Sequence, residues 1–155
     1  MSPSVGDGLY LLAFSRQTSS ISTAANKELV ARFYDVAIND RDVDACARFL
    51  TKDFVHNGEA RGQEGQRQAV AYFLGAFPDL RHTIEFMLAE GDLVSAHQSW
   101  RGTQRGSFLG VDPTDREIEF SSTAILRIDG DRIAEAWDEV DMMSALMQLG
   151  VLPSA

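Results

Sequence analysis

Basic residues are scarce in this chain: 14 Lys and Arg stand against 23 Asp and Glu among 155 residues, a formal net charge of -9. No basic block is long enough to follow a phosphate backbone, so nucleic-acid binding is not expected. Apolar runs are short as well, and none approaches the roughly 20 residues of a membrane helix. A cytoplasmic protein away from membranes is the expectation. The single cysteine, Cys46, cannot form an internal disulfide, and its setting in Asp44-Ala-Cys-Ala-Arg-Phe49 predicts a small core residue rather than a nucleophile. A Gly-rich phosphate loop, a Gly-x-Ser-x-Gly elbow and paired zinc cysteines are all missing. His56, His82 and His97 lie far apart with no close His or Cys partner, which does not spell a metal site.

The one N-terminal candidate for a targeting segment, Leu9-Tyr-Leu-Leu-Ala-Phe14, is shorter than an ordinary signal core and has no basic residue before it. Residues 1–22, rich in Ser and Gly, are expected to be an appended arm with partial disorder. Thr23 to Pro153 is expected to be one domain, and the 45% hydrophobic content suffices for a core that also encloses a small-molecule pocket.

Leu29, Val30, Phe33, Tyr34 and Ala37 form the apolar stripe of a helix that begins near Thr23. A short helix over Val43–Leu50, a brief strand over Asp53–Asn57 and a helix over Gln63–Phe77 follow, the last stopped by Pro78. The chain then changes period. Leu80–Ala89, Leu93–Thr103, Ile118–Ile128 and Arg132–Val140 read as a four-stranded antiparallel meander, and Met142–Leu149 as a closing helix capped by Asp141. Helices first and a long curved sheet afterwards make an α+β fold with the helices over one sheet face.

Apolar residues in the strands do not all fall on one parity, which suggests that the back of the sheet is also covered. A homodimer packed through sheet backs is the expected arrangement. The alternative is that the Gly110–Arg116 loop and the N-terminal arm cover this face. Trp137, on the opposite parity from Asp138, belongs to that interface or to the rim.

Asp138 is the chief candidate for chemistry. Strict alternation places it on one face with Ala134, Ala136 and Val140, and the Asp-Gly turn at Asp129-Gly130 sets it well along the last strand. A carboxylate among small apolar neighbours loses water, so a raised pKa and a general-base role are predicted. Pairing with an arginine, or capping of the Asp141 helix, is the structural alternative. His56 and Asn57 follow Phe54-Val55 into the same region and are candidate donors to an enolate, against an ordinary core or surface place. Tyr34, Phe73, Phe77, Trp100, Phe108 and Phe120 are candidate pocket walls suited to a small apolar or polycyclic ligand, although each alone also fits simple packing. Met142, Met143 and Met147 read as helix packing rather than a lid. Arg101 and Arg105 fit solubility better than capture of an anion.

The ordered series Ala76-Phe-Pro-Asp-Leu-Arg81, Glu90-Gly-Asp92, Trp100-Arg-Gly-Thr103, Phe108-Leu-Gly110, Pro113-Thr114 and Ile133-Ala-Glu-Ala-Trp-Asp138 resembles the SnoaL-like polyketide cyclases, over about Asn26 to Gly150. The resemblance implies the nuclear transport factor two-like fold, a conical barrel whose curved antiparallel sheet is covered on its concave face by N-terminal helices. It also implies aldol closure of a polyketide ester, or a related isomerisation, by one strand-borne aspartate with neither metal nor organic cofactor. That aspartate matches Asp138. A glutamine and histidine pair of the family aligns with Ser122 and Ala124, so this chain lacks both side chains and needs another oxyanion donor, with Ser122 the remaining polar group there. Epoxide hydrolysis and non-catalytic ligand binding are the alternatives within such a fold. The first needs a second acid and a water-holder near Asp138.

Overall fold

The computed structural model describes residues 23–153. Helix α1 occupies residues 23–34 and opens into a π-helical turn, Asp35–Asn39, which buries both Ala37 and Ile38. Arg41, at φ 59°, then reverses the chain, and its guanidinium donates to the carbonyls of Pro78 and Leu80. Helix α2 (Ala45–Phe49) is shorter than expected because Leu50, at φ -102° and ψ 155°, is already extended. Strand β1 therefore runs over Leu50–His56, longer than the brief strand read from the sequence. Asn57 and Gly58, both at positive φ, make a two-residue turn into β2 (Glu59–Ala60). That is the geometry Asn-Gly favours in hairpins. Helix α3 spans Gly62–Ala76.

The expected meander is present as β3 (Arg81–Glu90), β4 (Leu93–Thr103), β5 (Glu117–Asp129) and β6 (Arg132–Val140), with α4 (Met142–Gln148) after it. Asp141 caps α4 by accepting from the Ser144 amide. The sheet has six strands in the order β2-β1-β6-β5-β4-β3 and curves without closing. It is not antiparallel throughout, because β1 runs parallel to β6. That pairing brings His56 beside Ala136 and carries the β1–β2 turn to the edge of Asp138.

One face of β5 buries Ile118, Phe120, Ser122, Ala124, Leu126 and Ile128 while its intervening residues face out. On β6 the register slips: Arg127 pairs with Glu135 but Ile128 pairs with Ile133, leaving Ala134 as a β-bulge. Ile133, Ala136, Asp138 and Val140 consequently line the concave side. The alternation that placed Ala134 beside Asp138 fails at this bulge.

The loop from Gln104 to Arg116 folds onto α3 instead of covering the back of the sheet. Gln104 is fully buried and donates to the carbonyls of Gly106, Val111 and Asp112 while accepting from Thr114. An added Cβ on Gly106 would sit 2.5 Å from the Gly75 carbonyl oxygen, so glycine permits the approach. The back of the sheet keeps Phe86, Leu88 and Ile125 exposed among the described residues. The N-terminal arm, residues 1–22, lies outside the described residues.

Candidate active site

Between the concave sheet face and helices α1 and α3 lies a cavity of about 190 Å³. Its wall is mostly apolar and includes Phe33, Phe54, Phe73, Trp100, Phe120 and Ala124, with Tyr34, His56, Arg61, Gln66, Gln98, Ser122 and Asp138 as its polar members. Tyr34, Phe73, Trp100, Phe120, Ser122, His56 and Asp138, all named from the sequence, thus share the wall of one cavity. Phe77 and Phe108 do not line it. They form the layer behind Phe73, with Phe108 edge-on to Phe73 at 5.3 Å and to Phe77 at 5.1 Å between centroids, because the 104–116 loop turns Phe108 into the core.

Asp138 is the polar anchor of one end. Its Oδ1 accepts from Asn57 Nδ2 at 2.8 Å and lies 3.2 Å from His56 Nε2, while its backbone N–H donates to Asn57 Oδ1 at 2.9 Å. His56 Nδ1 is buried and has no partner among the described residues, so the tautomer with its proton on Nε2 serves the pair without burying a second N–H. Both neighbours engage Oδ1. No described side chain or amide bonds Oδ2.

The expected raised pKa of Asp138 is overturned. Burial does push the carboxyl upward, but the His56 hydrogen bond, His56 charge when the ring is protonated, the Asn57 amide and the Arg61 guanidinium hold it below the ordinary carboxylate range. His56 and Asn57 are not free enolate donors either, since both spend their donors on Asp138.

A second polar group occupies β3, β4 and α1. Gln98 is 1% exposed and His82 5%, and His82 Nε2 lies within hydrogen-bond reach of Gln98 Oε1. The Tyr34 ring stacks on His82 at 4.4 Å, and Gln98 Nε2 approaches Tyr34 Oη at 3.5 Å. Asn39 fixes the start of β3 to the end of the π turn by accepting from the His82 amide and donating to the His82 carbonyl. Burial, opposed by donation from Gln98 and aided by the Asp138 charge, pushes the Tyr34 hydroxyl up to about 12. It therefore stays a donor at any ordinary pH. Burial also pulls His82 below the usual histidine range, keeping the ring neutral.

Gln98 escaped the sequence reading, although a signal was present: Val94, Ala96, Gln98 and Trp100 share one parity on β4, which places a lone amide on the inward face. His82 entered the sequence analysis only as one of three scattered histidines, and Tyr34 as a wall residue rather than a hydroxyl. Ser122 receives the Trp100 indole N–H at 2.8 Å, and Ala124 pairs directly with Asp138 across β5 and β6. Cys46 is buried, and burial pushes its thiol up to about 11, as befits a core residue. His97 instead faces outward against Phe86 and Thr123.

This arrangement of sheet, cavity and strand-borne aspartate coincides with a family match over residues 28–149. The chain belongs to the SnoaL-like polyketide cyclase family. Among solved structures of this fold it is similar to AclR, a candidate hydroxylase from Streptomyces galilaeus, at 27% identity and a TM-score of 0.77 over 86% of this chain and 85% of that one. It is also similar to TsrD from Streptomyces laurentii, at 30% identity and a TM-score of 0.77 over 83% and 97% of the two chains. IdmH from Streptomyces antibioticus, a candidate polyketide cyclase, is 29% identical with a TM-score of 0.72 over 81% and 99%. No curated protein matches the chain. Among the described residues of this SnoaL-like chain, no helix is long and apolar enough to cross a membrane.

Proposed function

We propose that the chain is an enzyme that works without a cofactor on a small apolar carbonyl compound, cyclising it by an aldol reaction or isomerising it, with Asp138 as the proton carrier. The observation that supports this reading is the carboxylate itself: Oδ1 held by two donors, Oδ2 unengaged among the described residues, and Asp138 among the residues that line a mostly apolar cavity. The charged carboxylate takes a proton from the carbon next to a carbonyl. The resulting enolate attacks a second carbonyl in the same guest, forming a C–C bond, and Asp138 returns the proton to the new alkoxide. In an isomerisation the proton returns to a different carbon.

A base with a depressed pKa is a weak one, so most of the barrier reduction must come from stabilising the enolate oxygen. The cavity size favours a guest of one or two rings over a four-ring system, since a leucine-, isoleucine- and phenylalanine-lined cavity of about 150 Å³ elsewhere accommodates benzene. Self-association through the exposed back of the sheet, around Phe86, Leu88 and Ile125, belongs to the same reading. So does a reducing, cytoplasmic setting, which suits one buried free thiol.

The test is Asp138→Asn, which keeps size and both neighbours. Turnover of a carbonyl substrate should fall by about 10²-fold or more while the fold and ligand binding persist. Equal turnover in variant and parent removes Asp138 from the chemistry, and ligand binding with no turnover in the parent favours a binding protein.

A further inference from the structure

We infer that Gln98 and Tyr34 are the paired donors for the guest's oxygen, and that His82 is a positioning residue that keeps the Gln98 amide turned donor-first toward the cavity. This rests on proton transfer at Asp138, because the oxygen concerned is the one that becomes negative when that proton leaves.

Gln98 is a buried amide whose hydrogen-bonding capacity is only partly used. Its Nε2 approaches Tyr34 Oη and the Ala96 carbonyl, each at 3.5 Å, the outer limit of a hydrogen bond. A buried donor with two stretched partners gains from any better acceptor, and Gln98 lies on the cavity wall. The orientation of the amide follows from its neighbours. The Ala96 carbonyl can only accept, so the nitrogen belongs on that side and Oε1 faces His82. His82 Nε2 must then carry a proton. With the Gln98 nitrogen directed at the Tyr34 oxygen, the Tyr34 proton is left to point elsewhere, and the available acceptor is a guest. Three residues from α1, β3 and β4 thereby form a chain of donors running in one direction.

The positions suit the chemistry. Gln98 pairs across β4 and β5 with Ser122, and Asp138 pairs across β5 and β6 with Ala124. Asp138 and the donors therefore stand on opposite sides of a floor made by the methyl group of Ala124.

The test uses 2-naphthol, whose ionised and un-ionised forms fluoresce differently, beside naphthalene, which has the same shape and no oxygen. The unaltered chain should bind 2-naphthol more tightly than naphthalene, and ionised at a pH where the free compound is not. Gln98→Met and Tyr34→Phe should each weaken 2-naphthol by about tenfold or more while changing naphthalene by less than about twofold. His82→Phe keeps the ring stack on Tyr34 but offers no donor, so it should behave like Gln98→Met. His82→Gln should restore most of the affinity. The inference is overturned if the unaltered chain binds the two probes equally, or if the variants weaken both alike. Asp138→Asn separates this from the proposed reaction: it should retain or tighten naphtholate binding while losing turnover. Retained turnover in that variant counts against the base, whereas unchanged probe selectivity in the Gln98 and His82 variants counts against the donors.

Discussion

Asn57 clasps Asp138 by both of its ends: the amide nitrogen donates to Oδ1 at 2.8 Å, and the amide oxygen accepts from the Asp138 backbone N–H at 2.9 Å. Residue 57 can do this because it occupies the first place of a left-handed turn, at φ 49°, facing β6. A side chain that looks like turn punctuation thus fixes the carboxylate.

Asn57→Gly retains the backbone geometry of the turn and removes only the clasp. Turnover should fall by about tenfold as the carboxylate gains freedom, and the acid limb of the pH–rate profile should move to higher pH because one donor to Oδ1 is gone. A profile identical to the parent's would mean that Asn57 serves the turn alone.

Acid sensitivity should follow the same carboxylate. Its folded pKa lies below the unfolded value, so its ionisation contributes stability fully above the unfolded pKa, and this is lost as pH falls through the folded pKa. His56→Leu removes the histidine's contribution and raises the folded value toward the unfolded one, so the stability lost on acidification should be smaller and complete at a higher pH. Denaturant unfolding of parent and variant at a series of acid pH values reads the difference; an equal or larger loss in the variant contradicts the assignment.

Filling the floor should separate binding from folding. Ala124→Leu adds volume into an existing hollow of about 190 Å³ rather than into packed core, so the melting temperature should hold or rise. Affinity for a two-ring probe should drop by more than about tenfold as the space closes. Unchanged probe affinity would place the guest elsewhere.

Phe108 and Phe73 should behave differently although both are aromatic. Phe108→Ala opens the packed layer behind the wall and should cost about 3–5 kcal/mol by chemical denaturation. Phe73→Leu should cost less and alter ligand affinity, because Phe73 faces the cavity. Similar losses of stability with no ligand effect from Phe73 would merge the two layers.

The exposed back of the sheet gives an independent check. Leu88 is 68% exposed, so Leu88→Glu should leave the monomer's stability nearly unchanged. Sedimentation should show a dimer in the parent and a monomer in the variant. Identical mass in the two would dismiss this face as a contact between copies.

The sequence by itself determined the meander, the three longer helices and the parity of Asp138 relative to Ala136 and Val140, because these follow from local periods of two and 3.6 residues and from turn chemistry at Asp129-Gly130. It also carried the wall residues Tyr34, Phe73, Trp100 and Phe120 on inward-facing stripes. Only the tertiary structure decided what depends on residues distant in sequence. The parallel pairing of β1 with β6 brings His56 and Asn57 to Asp138 and reverses the expected direction of its pKa. The bulge at Ala134 breaks the alternation, and the packing of the 104–116 loop on α3 withdraws Phe108 from the cavity. The assembly of His82, Gln98 and Tyr34 spans three elements. Periodicity reports which face a side chain takes, but a pKa and a hydrogen-bond direction are set by the groups that the fold places opposite it.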